Sequence, residues 1–80
     1  SDPEDVRARL TVYHRHIRED VERFGGRIEK LMGDGAFAVF GAPVAHEDDP
    51  ERAVRAALRI QRSAAHLNQE HPDLALSVRI

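Results

Sequence analysis

From Arg27 to Phe40 the chain reads Arg-Ile-Glu-Lys-Leu-Met, then Gly33-Asp34-Gly35, then Ala-Phe-Ala-Val-Phe. No other stretch limits the fold as much. Two short apolar-rich runs flank an Asp-Gly tip, the strongest local signal for a tight β-hairpin. Gly35 is expected to take a positive φ without a Cβ penalty, and Asp34 to tolerate the left-handed region while bonding nearby backbone N–H groups. Local chemistry therefore accounts for Asp34 as a turn residue. Lys30 is less easily placed, because lysine is depleted inside strands unless its face is wet. On local grounds it reads as a solvated or edge lysine that guards against strand addition.

Eighty residues make at most one small domain, and a chain of that size buries only about 60% of its unfolded surface. No cysteine is present to staple it, which excludes disulfides and thiolate metal sites within the chain and suits a reducing compartment. A cytoplasmic location is the expectation. Twelve basic and fourteen acidic residues give a formal charge of -2, so no general electrostatic attraction to nucleic acid or anionic membrane is expected. No apolar run approaches the roughly 18 residues of a membrane span, and the start of the chain lacks a signal-peptide pattern.

The first residues, Ser1-Asp2-Pro3-Glu4-Asp5, carry a capping acid, a first-turn proline and acids suited to a helix N-terminus. Val6, Leu10, Tyr13, Ile17, Val21 and Phe24 then recur at three- and four-residue spacings, which predicts a helix over 3–24 that Gly25-Gly26 ends. The hairpin is expected over 27–40, with Gly41-Ala42-Pro43 breaking its second strand. Asp49 is the expected N-cap of a second helix over 50–70, whose apolar stripe is Ala53, Val54, Ala57, Leu58, Ile60, Ala64 and Leu67. After His71-Pro72-Asp73, the alternation of Leu74, Leu76, Val78 and Ile80 predicts a last strand over 74–80.

Helix, strand, strand, helix, strand is the order of a ferredoxin-like split β-α-β unit lacking its first strand. The expected class is α+β, with helices on one face of an antiparallel sheet. Because unpaired buried backbone is costly, the residues read as part of a longer domain.

The run Glu29-Lys30-Leu31-Met32-Gly33-Asp34-Gly35-Ala36-Phe37-Ala38-Val39-Phe40-Gly41-Ala42-Pro43, followed by His46-Glu47-Asp48-Asp49-Pro50-Glu51-Arg52-Ala53-Val54, resembles class III adenylate/guanylate cyclase catalytic domains, bacterial members above all. The resemblance covers nearly the whole chain. It implies conversion of a nucleoside triphosphate, usually ATP, to its 3′,5′-cyclic monophosphate and pyrophosphate by two such domains paired head to tail as a homodimer. It implies two Mg²⁺ or Mn²⁺ ions held by two carboxylates, one of which falls on Asp34 and the other on the absent first strand. It also implies that Lys30 contacts adenine, where guanylate cyclases carry glutamate.

The chemistry fits these residue types. Attack of a 3′-hydroxyl on the α-phosphorus needs the hydroxyl acidified and the polyphosphate neutralised, which two ions with hard oxygen ligands do. An ammonium donates to the acceptor nitrogens of adenine, whereas guanine presents another donor and acceptor order. No residue of this chain is assigned to the bond-making step itself. The asparagine and arginine of the family pattern, and its second base-selecting position, are expected beyond Ile80, so 80 residues alone are expected to be inactive. A degenerate cyclase-like module used for regulation or dimerisation is the alternative. A diguanylate cyclase relative ranks lower, because the tip lacks the Gly-Gly-Asp/Glu-Glu-Phe pattern.

Other polar clusters receive ordinary structural readings. His46-Glu47-Asp48-Asp49 reads as a helix cap and not a metal cluster. His14 and His16, two apart, cannot form an i, i+4 metal pair and read as surface residues. His66 and His71 suit a helix C-terminus. Arg7, Arg9, Arg15, Arg18 and Arg23, interleaved with acids, read as a solvated face.

Overall fold

A computed structural model of the chain describes residues 3–32 and 35–71. Its elements are α1 (Pro3–Arg23), β1 (Gly26–Met32), β2 (Gly35–Phe40) and α2 (Asp49–Glu70). β1 and β2 pair antiparallel. Ile28, Ala38 and Phe40 of this ribbon pack onto Tyr13, Ile17 and Val21 of α1 and Ala64 and Leu67 of α2, so both helices cover one face. The fold is α+β, as the sequence predicts. The strand expected over 74–80 lies outside the described residues.

The apolar stripe of α1 does what its spacing implies, with Tyr13, Ile17 and Val21 all buried. Burying side chains of this kind stabilises a fold by about 1.5–3 kcal/mol each. The helix stops because Gly25 takes φ +87°, a left-handed C-terminal conformation. There the Phe24 and Gly25 N–H groups donate to the carbonyls of Val21 and Glu22 at 3.2 and 3.1 Å.

β1 starts at once with Gly26, where no side chain fits. A Cβ there would stand 2.6 Å from the Phe40 ring and 2.8 Å from Cγ1 of Val21, well inside contact distance. Gly26→Ala is therefore expected to destabilise the fold by roughly 1–3 kcal/mol through overpacking, read as a lower denaturant midpoint at unchanged m-value.

α2 buries Ala56, Ala64 and Leu67, of which Ala64 and Leu67 join the core cluster with α1, and Ile60 is partly buried against it. Two residues of its expected stripe face elsewhere: Val54 and Leu58 are 60% and 54% exposed. Val54 lies two residues from Ala56, about 200° around the helix, so one packing face cannot bury both. The helices run antiparallel, since Asp20 meets Ser63 while Phe24 meets Arg52.

The start of α2 also departs from expectation. Its N-cap is Asp48, which makes no side-chain capping bond, and Asp49 is the first helical residue. Asp49 instead turns back, its Oδ2 accepting the His46 N–H at 2.6 Å. An acid one position inside the helix thus closes the loop that leads into it.

Small residues leave an apolar groove of about 300 Å³ beside β2, lined by Ala36, Ala38 and Phe40 of β2 and Ala53, Ala57 and Ile60 of α2 among others. Among the described residues, β2 pairs only with β1. No described helix is long and apolar enough to cross a membrane.

Candidate active site on the hairpin

The register of the hairpin decides where Lys30 points. Ile28 pairs with Ala38 and Lys30 with Phe37, so Glu29 has no partner and forms a bulge. Before the bulge, Ile28 faces the helices; after it, Leu31 is half-buried while Lys30 and Met32 are exposed. In an unbroken strand Lys30 would share the face of Ile28, because side chains alternate with period two. The extra residue reverses the alternation and turns Lys30 to the open face. The solvated face inferred for Lys30 is the observed one.

Phe37, directly across from Lys30, is 60% exposed, and Met32 is 48% exposed. Lys30 is therefore paired in register with an exposed aromatic residue, which also lines the groove beside β2, and Met32 follows two residues along the strand. Lys30 is the single lysine among the twelve basic residues. Arg27, on the same strand, donates to Glu29, which ties the bulge residue at the surface.

Asp34 lies outside the described residues. Gly35, expected in the left-handed region, opens β2 opposite Met32, whereas the left-handed glycines described are Gly25 and Gly41. Among the described residues no three histidines or acids gather closely enough to hold a metal ion. In the His46–Asp49 stretch, His46 Nδ1 lies 3.3 Å from Asp49 Oδ1.

Sequence reasoning overlooked Arg52, which ties the start of α2 to the α1–β1 junction. Its Nη1 donates to the Phe24 carbonyl at 3.5 Å, and its Nε lies 3.0 Å from Asp48 Oδ2 without pointing at it as a hydrogen-bond donor. The only signal in the sequence was the i, i+4 spacing from Asp48. The neighbouring Arg52 guanidinium, the leading cause, holds the Asp48 carboxyl below its ordinary range.

A carboxyl with a lowered folded-state pKa stabilises the fold above its ordinary pKa, and that contribution disappears as pH falls through the folded value. Amide-exchange protection at residues 48–52, relative to the intrinsic rate, is thus expected to fall on acidification below the ordinary aspartate range, and Asp48→Asn should remove this change in protection. The effect is small, because the pair is solvent-exposed.

The histidines take ordinary roles. His14 and His16 are half-buried, not fully at the surface as the sequence suggested, and the His14 ring lies 6.3 Å from that of Tyr13. His66 pairs with Glu70 at 3.2 Å.

Fold and hairpin together define an α+β unit with helices on one face and an exposed, cation-bearing ribbon on the other. No protein-family model matches the chain. It is 36% identical over 66 residues to adenylate cyclase 1 of Rhizobium meliloti (strain 1021), covering 82% of this chain and 10% of that protein. It superimposes on the crystal structure of the guanylyl cyclase Cya2 with a TM-score of 0.81 and 34% identity, covering 96% of this chain and 39% of that one. The chain thus spans about a tenth of its curated relative and well under half of its structural neighbour. It belongs to the class III adenylate/guanylate cyclase catalytic-domain family, of which it carries a segment.

Proposed function

We propose that the chain is the hairpin-bearing part of an adenylate cyclase domain that converts ATP to 3′,5′-cyclic AMP and pyrophosphate. The observation that supports this reading best is the exposure of Lys30 on the open face of β1, where the bulge at Glu29 turns it. The relatives alone do not choose the base, since one is named for adenylate and the other for guanylate. Lys30 favours adenine, because an ammonium donates to ring nitrogens that adenine leaves unprotonated. Phe37 and Met32 supply apolar contact for a purine beside it.

Asp34 is proposed as one carboxylate ligand of two Mg²⁺ or Mn²⁺ ions, hard cations that prefer such oxygens. The described residues lack a metal cluster of their own, so a second carboxylate must come from elsewhere. A strand paired to the free edge of β2, over the apolar groove, is the proposed source. When bound, the ions neutralise polyphosphate charge and acidify the attacking hydroxyl. The residues of this chain bind and orient the base and hold the hairpin rigid.

A second cyclase domain, in a homodimer, is proposed to close the open face over the nucleotide. Nucleic acid and membrane are not proposed partners of this segment, and a cytoplasmic setting fits its substrate. The rival reading is a non-catalytic, degenerate cyclase-like module used for regulation or dimerisation. Incubating the intact protein with ATP and Mn²⁺ separates them. Cyclic AMP and pyrophosphate in equal amounts are expected; a folded dimer that forms neither would leave the rival standing.

A further inference from the structure

A second concave feature lies between the helices, away from the hairpin. This trough, of about 510 Å³, is lined by helical residues alone: His16, Glu19, Asp20 and Arg23 of α1 face Arg59, Arg62, Ser63 and His66 of α2. On each helix the spacing is i, i+3, i+4, i+7, so each set forms one polar stripe flanking the core stripe. The cyclase reading gives these residues no task.

The charges are not balanced inside the trough. Asp20 is buried at 6% exposure and is already satisfied: Ser63 Oγ donates to its Oδ2 at 2.9 Å, and Arg59 Nε stands 3.7 Å from Oδ1. Glu19 is 3.9 Å from Arg15, a residue outside the lining, and its side chain is 64% exposed. The two acids are thus each matched to a cation. Among the described residues, Arg23 and Arg62 have no carboxylate within ion-pair distance, although one lies on each wall. Two unmatched guanidinium groups in one concavity hold a positive potential in a chain whose formal net charge is -2.

We propose that the trough is a binding site for a small anion carrying two linked phosphoryl groups. A guanidinium presents a planar fork of donors that matches phosphoryl oxygens and stays charged at all relevant pH values. One such fork on each wall suits a ligand with two anionic centres better than a single compact ion. Arg59, 3.7 Å from Asp20, adds a third guanidinium to the lining. Soluble diphosphates carry two such anionic centres in one molecule, whereas a membrane presents them as neighbouring phospholipid headgroups.

Calorimetric titration of the intact protein with inorganic pyrophosphate, with amide chemical shifts recorded in parallel, tests the site. EDTA in the buffer removes metal-borne binding at the hairpin, so this result does not depend on whether the cyclase reading holds. Saturable binding is expected, with shifts centred on residues 16–23 and 59–66. Arg23→Gln and Arg62→Gln should each weaken it about tenfold, a change typical of losing one charge-assisted bond, whereas Arg55→Gln, which lies outside the trough, should leave it intact. Absence of saturation by a protein whose spectrum is folded would overturn the proposal. So would shifts located elsewhere, or equal binding by all three variants. Phosphatidylglycerol vesicles that bind where pyrophosphate does not would reassign the surface to lipid and equally defeat a site for a small soluble anion. Shift mapping on the unsubstituted protein decides the matter even if an arginine variant fails to fold.

Discussion

Asp34→Ala is expected to lower metal-dependent cyclic AMP formation by the intact protein on the order of 100-fold or more, since removal of a direct metal ligand exceeds the 10–100-fold typical of outer-shell partners. The proposal places this carboxylate at the tip of a two-stranded ribbon, where rigid flanking backbone holds an ion more accurately than a loop can. Because the change is at a turn, thermal unfolding should move little, and excess Mn²⁺ should not restore the rate. An activity within a few-fold of the unsubstituted protein would remove Asp34 from the metal site. It would leave only the turn role that Asp-Gly chemistry already explains.

The second large effect concerns the base. Lys30→Glu should reduce the preference for ATP over GTP by roughly 10–200-fold, the factor that corresponds to losing one hydrogen bond to a charged group. The substitution replaces three donors with an acceptor at a position that is already exposed, so the fold should be unaffected. The loss should fall on kcat/KM for ATP more than on that for GTP. Deleting Glu29 offers a geometric counterpart. Lys30 would then follow Ile28 directly, still paired with Phe37 and still on the open face, so adenine selectivity should persist although the bulge is gone. A selectivity equal to that of the unsubstituted protein in Lys30→Glu would dissociate this residue from the base.

Much of the helix and hairpin arrangement could be read from spacing, because periodicity and turn chemistry are local. The stripe through Tyr13, Ile17 and Val21, the glycine stop at Gly25 and the two runs around Asp34 each follow from a few neighbouring residues. What escaped depends on partners distant in sequence. The bulge at Glu29 is a fact of register between β1 and β2, and Glu29-Lys30 gives no local sign of which residue loses its partner. Asp48 and Asp49 are both plausible caps, and the choice rests on Asp49 bonding back to the His46 N–H. Val54 and Leu58 belong to the apolar pattern of α2, yet its buried face is set by Ala56, Ala64 and Leu67. Arg52 reaches the Phe24 carbonyl 28 residues away, a contact that only the antiparallel packing of the helices creates.

The candidate site was legible in part. Lysine inside a strand implied a wet face or a cleft, and the structure adds that a bulge puts it there, opposite Phe37. The trough between the helices left no such sign, because its basic residues look like an ordinary solvated face until, among the described residues, Asp20 is seen to be matched and Arg23 and Arg62 are not.

The central claim, that the open face of the hairpin holds the purine of a nucleotide, can be measured at the Lys30 amine. Amine acylation of the intact protein, mapped at Lys30 by mass spectrometry, should be rapid without ligand and should slow several-fold with ATP and Mn²⁺. GTP should protect less, and Asp34→Ala should abolish the protection. An acylation rate at Lys30 that stays the same with and without saturating ATP and Mn²⁺ would contradict the account.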